Sequence, residues 1–306
     1  MNKLKFLLVP LLTASFLASC NSAKNKKWYE YNDWWNYCSS GKNGEQAMTD
    51  DIGKEVNVTV NGQVHKVRLI GVEHDVLSDD TTKKAHCTFE FSNLLSDSNG
   101  YSLATLWNTK DGTSSTNYDY ENSDLRTALD GIVNGALRWY QKGDKVTSTN
   151  YTKPVIEMLP SELKTRIKTV KKEIATGSSY TVNNYDAKVF ALTYREMTKE
   201  GGSSARVEGT TYQYYVDHDD NSSRIKHQVK WYEGATTKNT EIIDLNWHPS
   251  NYAGYNNDST DSGGYYWIVS PDIDGSSVAI RINADGYLAC DSIYSVAYAV
   301  APAFCI

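Results

Sequence analysis

Val56-Asn57-Val58-Thr59-Val60-Asn61-Gly62-Gln63-Val64-His65-Lys66-Val67-Arg68-Leu69-Ile70 alternates apolar and polar residues on both sides of an Asn-Gly pair. Alternation of period two marks a half-buried strand, and Asn-Gly supplies the left-handed residues of a tight turn, so this stretch predicts a β-hairpin. Downstream, short β-prone runs at 188–192, 210–216, 225–231, 265–269, 278–282 and 297–304 are separated by turns of Gly, Asn, Asp and Ser. Two helices interrupt them. One is capped by Asn122 or Ser123 and carries Leu125, Leu129, Ile132, Val133, Ala136, Leu137 and Tyr140 at helical spacing. The other starts at Ser161 after Pro160, presents Leu163, Ile167, Val170 and Ile174, and stops at Gly177; its Lys164, Arg166, Lys168, Lys171 and Lys172 are expected on the solvated face. Strands, two main helices and long loops describe a single α+β domain over residues 50–306.

Upstream, Lys3 and Lys5 precede an apolar run from Phe6 to Leu17, which leads to Leu17-Ala18-Ser19-Cys20. The run is too short to cross a hydrocarbon core of about 30 Å, so residues 1–19 read as a removable signal. Leu-Ala-Ser-Cys resembles the lipobox of bacterial lipoproteins, which implies acylation of Cys20 and a lipid bilayer as the first partner, with the chain facing outside the cytoplasm. Residues 20–27 then form the lipidated cysteine and a polar tether. The aromatic segment 28–49, with Trp28, Trp34 and Trp35, is expected to pack on the domain.

Loss of the signal removes two lysines and leaves 29 basic against 37 acidic residues, a formal charge of −8 in place of −6. An acidic chain without clustered Lys and Arg argues against nucleic acid as a partner. Cys38, Cys87, Cys290 and Cys305 remain after Cys20 is set aside. They allow three disulfide connectivities or free buried thiols, and their spacing fits no zinc site.

Several stretches form an ordered series: Ile70-Gly71-Val72-Glu73-His74-Asp75, Cys87 to Phe91, Ser123-Asp124-Leu125-Arg126, Leu159 to Leu163, Lys188 to Leu192, Tyr266 to Pro271, and Val300-Ala301-Pro302-Ala303-Phe304. The series resembles a bacterial domain of unknown function, family 6273, over about residues 50–306. That family is similar in pattern to C-type-lectin-like and sulfatase-modifying-factor-like folds, which implies a compact α+β domain and no particular reaction. Val269 and Ala301 stand where the family tends to carry arginine. Their joint replacement suggests that the two positions adjoin on neighbouring strands with an apolar filling.

No Gly-x-Ser-x-Gly elbow, His-Glu-x-x-His motif or cysteine-protease signature is present. Catalysis is therefore not expected, although Asp217, Asp219 and Asp220 offer scattered carboxylates to a cell-envelope hydrolase; a structural envelope role is a third reading. No cofactor is expected; calcium is the candidate ion, with oxygen ligands at Asp258, Asp261, Asp272 and Asp274. Such residues also populate turns for backbone reasons. Among 22 tyrosines and 8 tryptophans, Trp247, Tyr252, Tyr255, Tyr265 and Tyr266 lie in a polar stretch. Aromatic rings with polar rims suit an extracellular glycan or protein ligand, so these five are the candidate binding residues.

Overall fold

The computed structural model describes residues 26–40, 46–96, 103–108, 120–131, 137, 139–141, 144–145, 153–176, 181–198, 208–218, 243–244, 266–271, 278–282, 288–293 and 296–306. The chain divides into two units, 1–47 and 48–306. In the first, two single 3-10 turns, Trp28–Glu30 and Trp34–Asn36, are held together by aromatic rings. Trp28 and Trp34 are buried with ring centroids 6.2 Å apart, and Tyr31 stacks on Tyr37 at 3.8 Å.

The second unit begins with the expected hairpin: β1 (Glu55–Val60) and β2 (Gln63–Val72) pair from Glu55↔Arg68 to Val60↔Gln63. Asn61 and Gly62 both have positive φ, 48° and 84°, as a two-residue primed turn requires. Val56, Val58 and Val60 face inward while Glu55, Asn57 and Thr59 face water. The strands that follow are β3 (Cys87–Phe91), β4 (Ala104–Leu106), β5 (Tyr140–Gln141), β6 (Asp144–Lys145), β7 (Val170–Thr176), β8 (Thr181–Ala187) and β9 (Val189–Phe190). They continue with β10 (Ile243–Asp244), β11 (Tyr266–Pro271), β12 (Val278–Ile282), β13 (Leu288–Ser292), β14 (Val296–Val300) and β15 (Ala303–Cys305).

One sheet runs β1-β2-β3-β15-β9, a second β13-β12-β11-β14-β4-β5-β6 with β10 alongside β14, and β7 and β8 form a separate ribbon. Helices are short: Asp124–Asp130, Val155–Met158, Ser161–Arg166, Tyr194–Met197 and Gln213–His218. The architecture is thus a mixture of helices and sheets in which strands predominate. Ile70, Phe190, Leu192, Tyr212, Tyr215, Ile268 and Ile280 belong to one core that draws on both large sheets.

Four sequence expectations need correction. The helix from Ser161 ends at Arg166, where Ile167 turns extended (φ −62°, ψ 125°), and 170–176 is a strand. Val170, Lys172 and Ile174 are buried at period two, so Lys172 is 2% exposed rather than solvated. The helix from Asp124 ends at Asp130, because Gly131 takes a left-handed cap (φ 76°) whose N–H returns to the Thr127 carbonyl, and Tyr140 joins a strand. Residues 210–216 form no strand. Tyr212 and Tyr215, one turn apart, bury their rings on the same side, and the chain enters the helix Gln213–His218. Finally, 297–304 breaks at Pro302, which has no N–H to donate to a ladder, so β14 and β15 go to different sheets. The run expected at 225–231 lies outside the described residues.

Strands β11 and β14 pair in parallel through Tyr266↔Ala299 and Trp267↔Val300. Val269 lies inside β11 and Ala301 just beyond β14, and both are buried. No disulfide joins the described cysteines Cys38, Cys87, Cys290 and Cys305. Thr88 opposes Cys305 across the ladder and brings its Oγ1 within 3.4 Å of the Cys305 sulfur, so the preceding Cys87 projects to the other face. A Cys87–Cys305 bridge is excluded in this arrangement.

Candidate functional site

Among the described residues, a cluster of charged side chains is buried inside the second unit. Lys172 arrives on β7, where strand alternation directs its side chain inward. Its ammonium donates to Asp75 Oδ1 (2.9 Å), to Glu196 Oε1 and to the Tyr212 hydroxyl (2.9 Å). Asp75 follows β2 beyond Glu73, a residue with positive φ (49°). Its Oδ2 accepts from the Thr88 hydroxyl at 2.6 Å and the Cys305 thiol at 3.3 Å. The Tyr212 hydroxyl also lies 2.9 Å from both oxygens of Asp75. Glu196 is held by the helix it starts: Thr193 accepts from the Glu196 amide, and Glu196 Oε2 accepts from the Thr193 amide at 2.9 Å. Two glycines make room. A Cβ on Gly71 would stand 2.9 Å from the Tyr212 ring, and one on Gly209, whose φ is +78°, 3.0 Å from Glu196.

Two carboxylates share one ammonium, and the fold treats them unequally. Burial drives the Asp75 carboxyl up, but the Lys172 charge and the Thr88 hydrogen bond outweigh it and hold the group at about 2. Burial dominates at Glu196, where Asp75 adds to it, and the carboxyl is pushed up to about 7 against the pull of Lys172. Burial alone would lower Lys172; the two carboxylates reverse the sign and raise it.

A second network lies on β2, β3 and the helix Gln213–His218. Arg68 donates through Nε (3.2 Å) and Nη2 (2.8 Å) to Glu90, and its guanidinium lies 4.3 Å from the Tyr214 ring centroid. Tyr215 completes the set by donating to Glu90 at 2.9 Å. A third group joins Glu208 to the Ser270 hydroxyl and to the Ala175 amide, 2.8 Å away. At the surface, a cleft of about 320 Å³ is lined by Leu77, Ser78, Asp79, Lys168, Thr169 and Asp186, with Ser78 donating to Asp186 at 2.8 Å.

The sequence-derived candidates fall differently. Cys20, Trp247, Tyr252, Tyr255, Tyr265, Asp258, Asp261, Asp272 and Asp274 lie outside the described residues, as do Asp219 and Asp220. Tyr266 is not a loop ring: it opens β11, between β12 and β14, and is 1% exposed. A strand covered on both faces reads as a continuous apolar run, and Tyr266 belongs to that run. Asp217 is exposed and accepts from Gln213 one turn earlier at 2.8 Å. Among the described residues, no group of three or more His, Cys, Asp or Glu is placed to hold a metal ion. The buried networks were missed because a lysine within an apolar stripe reads as solvent-facing. One signal was legible, Thr193-Tyr194-Arg195-Glu196, the spacing of a capping box.

The Glu196 shift has a definite sign in stability. Its carboxyl binds a proton more tightly folded (about 7) than at its ordinary 4.5, so its contribution to stability declines as pH rises between those values. His65, lowered by burial to about 4, works oppositely up to its ordinary 6.5. The contribution of Glu196 is isolated by a difference: unfolding free energy of wild type minus Glu196→Gln should fall by a few kcal/mol between about pH 4.5 and 7.5. Urea titrations across that range measure it, and a flat difference would show that Glu196 stays ionised throughout.

Strands in two large sheets and a ribbon, with short helices between them, make a mixed architecture compatible with the α+β class. Residues 101–306 match the family described as domain of unknown function (DUF6273), and the chain belongs to that family. The matched span starts within the second unit and leaves out β1, β2 and β3, although β3 pairs with the matched β15. No curated protein and no solved structure matches the chain.

Proposed function

We propose that this protein is an extracytoplasmic lipoprotein, anchored to a membrane through acylated Cys20, whose domain is a non-catalytic binding module for a glycan or protein ligand. The observation that carries this reading is where the aromatic, Asn- and Asp-rich stretch begins and ends. Tyr212, Tyr214 and Tyr215 on its upstream side and Tyr266 and Ile268 on its downstream side belong to one core cluster. The upstream side is further fastened by the Lys172–Asp75–Glu196 and Arg68–Glu90 networks through Tyr212, Tyr214 and Tyr215. Binding residues on segments mounted on a rigid base are a recurring arrangement, because the base sets their position at no entropic cost on binding. Trp247, Tyr252, Tyr255 and Tyr265 are the rings proposed to meet the ligand, with calcium as the ion that Asp258, Asp261, Asp272 and Asp274 could bind.

A hydrolase reading draws on the split between Asp75 and Glu196, since carboxylates driven apart are a mark of acid–base sites. Both side chains, however, are under 5% exposed and already hold Lys172, which favours a structural role for the pair.

The test is an array of glycans and cell-wall fragments probed with residues 21–306, with and without calcium. A reproducible hit lost in Tyr252→Ala and Tyr255→Ala supports the module; a hit that survives both rejects these rings as the site, and an empty array removes the glycan form of the reading. In producing cells, an alkyne fatty acid should label the wild type and not Cys20→Ala. Equal labelling of the two would dispose of the anchor.

A further inference from the structure

We infer that Lys172 and Asp75 condense into an intramolecular amide that ties β7 to the segment after β2, with Glu196 carrying protons for the step. The reacting groups are already in contact: Lys172 Nζ lies 2.9 Å from Asp75 Oδ1, so the carboxyl carbon is one bond further on. Glu196 Oε1 meets the same ammonium. The side chains of Lys172, Asp75 and Glu196 are 2%, 4% and 2% exposed. Rings line the place, with the Phe190 centroid 4.2 Å and the Tyr212 centroid 5.2 Å from Nζ. Two reactants held in a fixed arrangement react as if at concentrations far above any reached in solution. Exclusion of water also protects the product from hydrolysis. An ion pair needs one carboxylate per ammonium, and here there is a second one. Glu196, at about 7, is poised to take and return a proton near neutrality.

The step balances without an outside reactant. The ion pair is the resting form. The Tyr212 hydroxyl accepts from Nζ and reaches both Asp75 oxygens, each contact being 2.9 Å. One proton passes along it from the ammonium to Oδ1, which leaves an amine beside a carboxylic acid at unchanged net charge. The amine lone pair then forms the C–N bond at Asp75 Cγ, and the carbonyl electron pair moves to Oδ2. There the Thr88 hydroxyl (2.6 Å) and the Cys305 thiol (3.3 Å) donate to the developing negative charge. Glu196 takes one proton from the nitrogen. As the electron pair returns from Oδ2, the C–Oδ1 bond breaks and the hydroxyl leaves as water with the proton Glu196 gives back. Nothing is oxidised or reduced, and Glu196 ends as it began. Asp75 is the acceptor rather than Glu196 because three side-chain donors, from Thr88, Cys305 and Tyr212, surround its carboxyl, whereas Glu196 Oε2 is held by the Thr193 amide of its helix cap. The link joins positions 97 apart and restricts the unfolded chain as a disulfide does, in a structure where no disulfide joins the described cysteines. The ionic form, which keeps the full mass, is the one whose stability depends on pH through Glu196.

The test is the intact mass, in denaturant, of the full chain and of Lys172→Arg and Glu196→Gln produced identically. With the substitutions allowed for, wild type should be lighter than both variants by the mass of one water. Glu196→Gln keeps the shape of the side chain and covers the case in which Lys172→Arg fails to fold. Trypsin should release from wild type a branched peptide that joins residues 69–83, which contain Asp75, to residues 172–188. Wild type at full mass overturns the inference. So does a branch from Lys172 to residues 196–199, which would make Glu196 the acceptor, and so does loss of water from Glu196→Gln as complete as from wild type. These readouts involve neither a ligand nor Cys20, so the cross-link and the proposed binding module fail independently.

Discussion

Replacing Lys172 with methionine is expected to lower the unfolding free energy by about 3–5 kcal/mol at neutral pH, as removal of one partner from a buried ion pair does. The geometry explains why the loss is large. Asp75 and Glu196 would remain 4% and 2% exposed with no cation between them, and the Tyr212 hydroxyl would lose one of its partners. The loss should shrink in mild acid, because Glu196 sits at about 7 and takes up a proton there at little cost. Urea unfolding at two pH values measures both effects. A further change of Glu196 to Gln and Asp75 to Asn in the methionine variant should recover part of the stability, since the uncompensated charge, not the missing attraction, dominates the penalty. A methionine variant within about 1 kcal/mol of wild type would mean that the cluster is solvated in solution.

Deletion of residues 303–306 should abolish folding of the second unit altogether. Strand β15 lies between β3 and β9 and pairs with both, through Phe304↔Phe89 on one side and Phe304↔Val189 on the other. Phe304 is fully buried against the rings of Phe89 (5.9 Å) and Phe91 (6.3 Å). Phe304→Ala alone should cost about 3–5 kcal/mol, a large share of the roughly 5–15 kcal/mol that stabilises a domain. The deletion also strips both neighbouring strands of their ladder bonds. Amide dispersion in a proton–nitrogen spectrum decides the matter: a dispersed spectrum from the deleted chain would show that β3 and β9 can close the sheet unaided.

The parts of the fold that were legible in the sequence are those decided locally. Asn61-Gly62 specifies its own turn, and Ser123 does cap the helix it was expected to start. Long-range pairing decided the rest. A helical spacing from Leu163 to Ile174 is equally a helix end followed by a strand once a lysine is allowed inward, and only Asp75 and Glu196, 97 and 24 positions away, allow it. Pro302 is a plain signal that a strand cannot continue, yet the sequence does not say that the two halves enter different sheets. The buried networks were illegible for the same reason, since each joins residues from three or more segments. Tyr266 shows the converse error: an aromatic next to Gly263 and Gly264 resembles a loop ring until the strand beyond it is known to be covered on both faces.

The position of β15 also sets a timetable. Thr88 and Cys305, which face each other in the sheet, stand 217 positions apart in the chain, so almost the whole second unit must exist before its central ladder can form. Contacts of such long sequence separation fold slowly, because a large loop is closed before any pairing rewards it. A chain delivered N-terminus first would therefore hold its local hairpins while β3 and β9 wait for residues 303–305. Closure of the sheet around β15 is thereby set as a late step, after the local hairpins have had time to form.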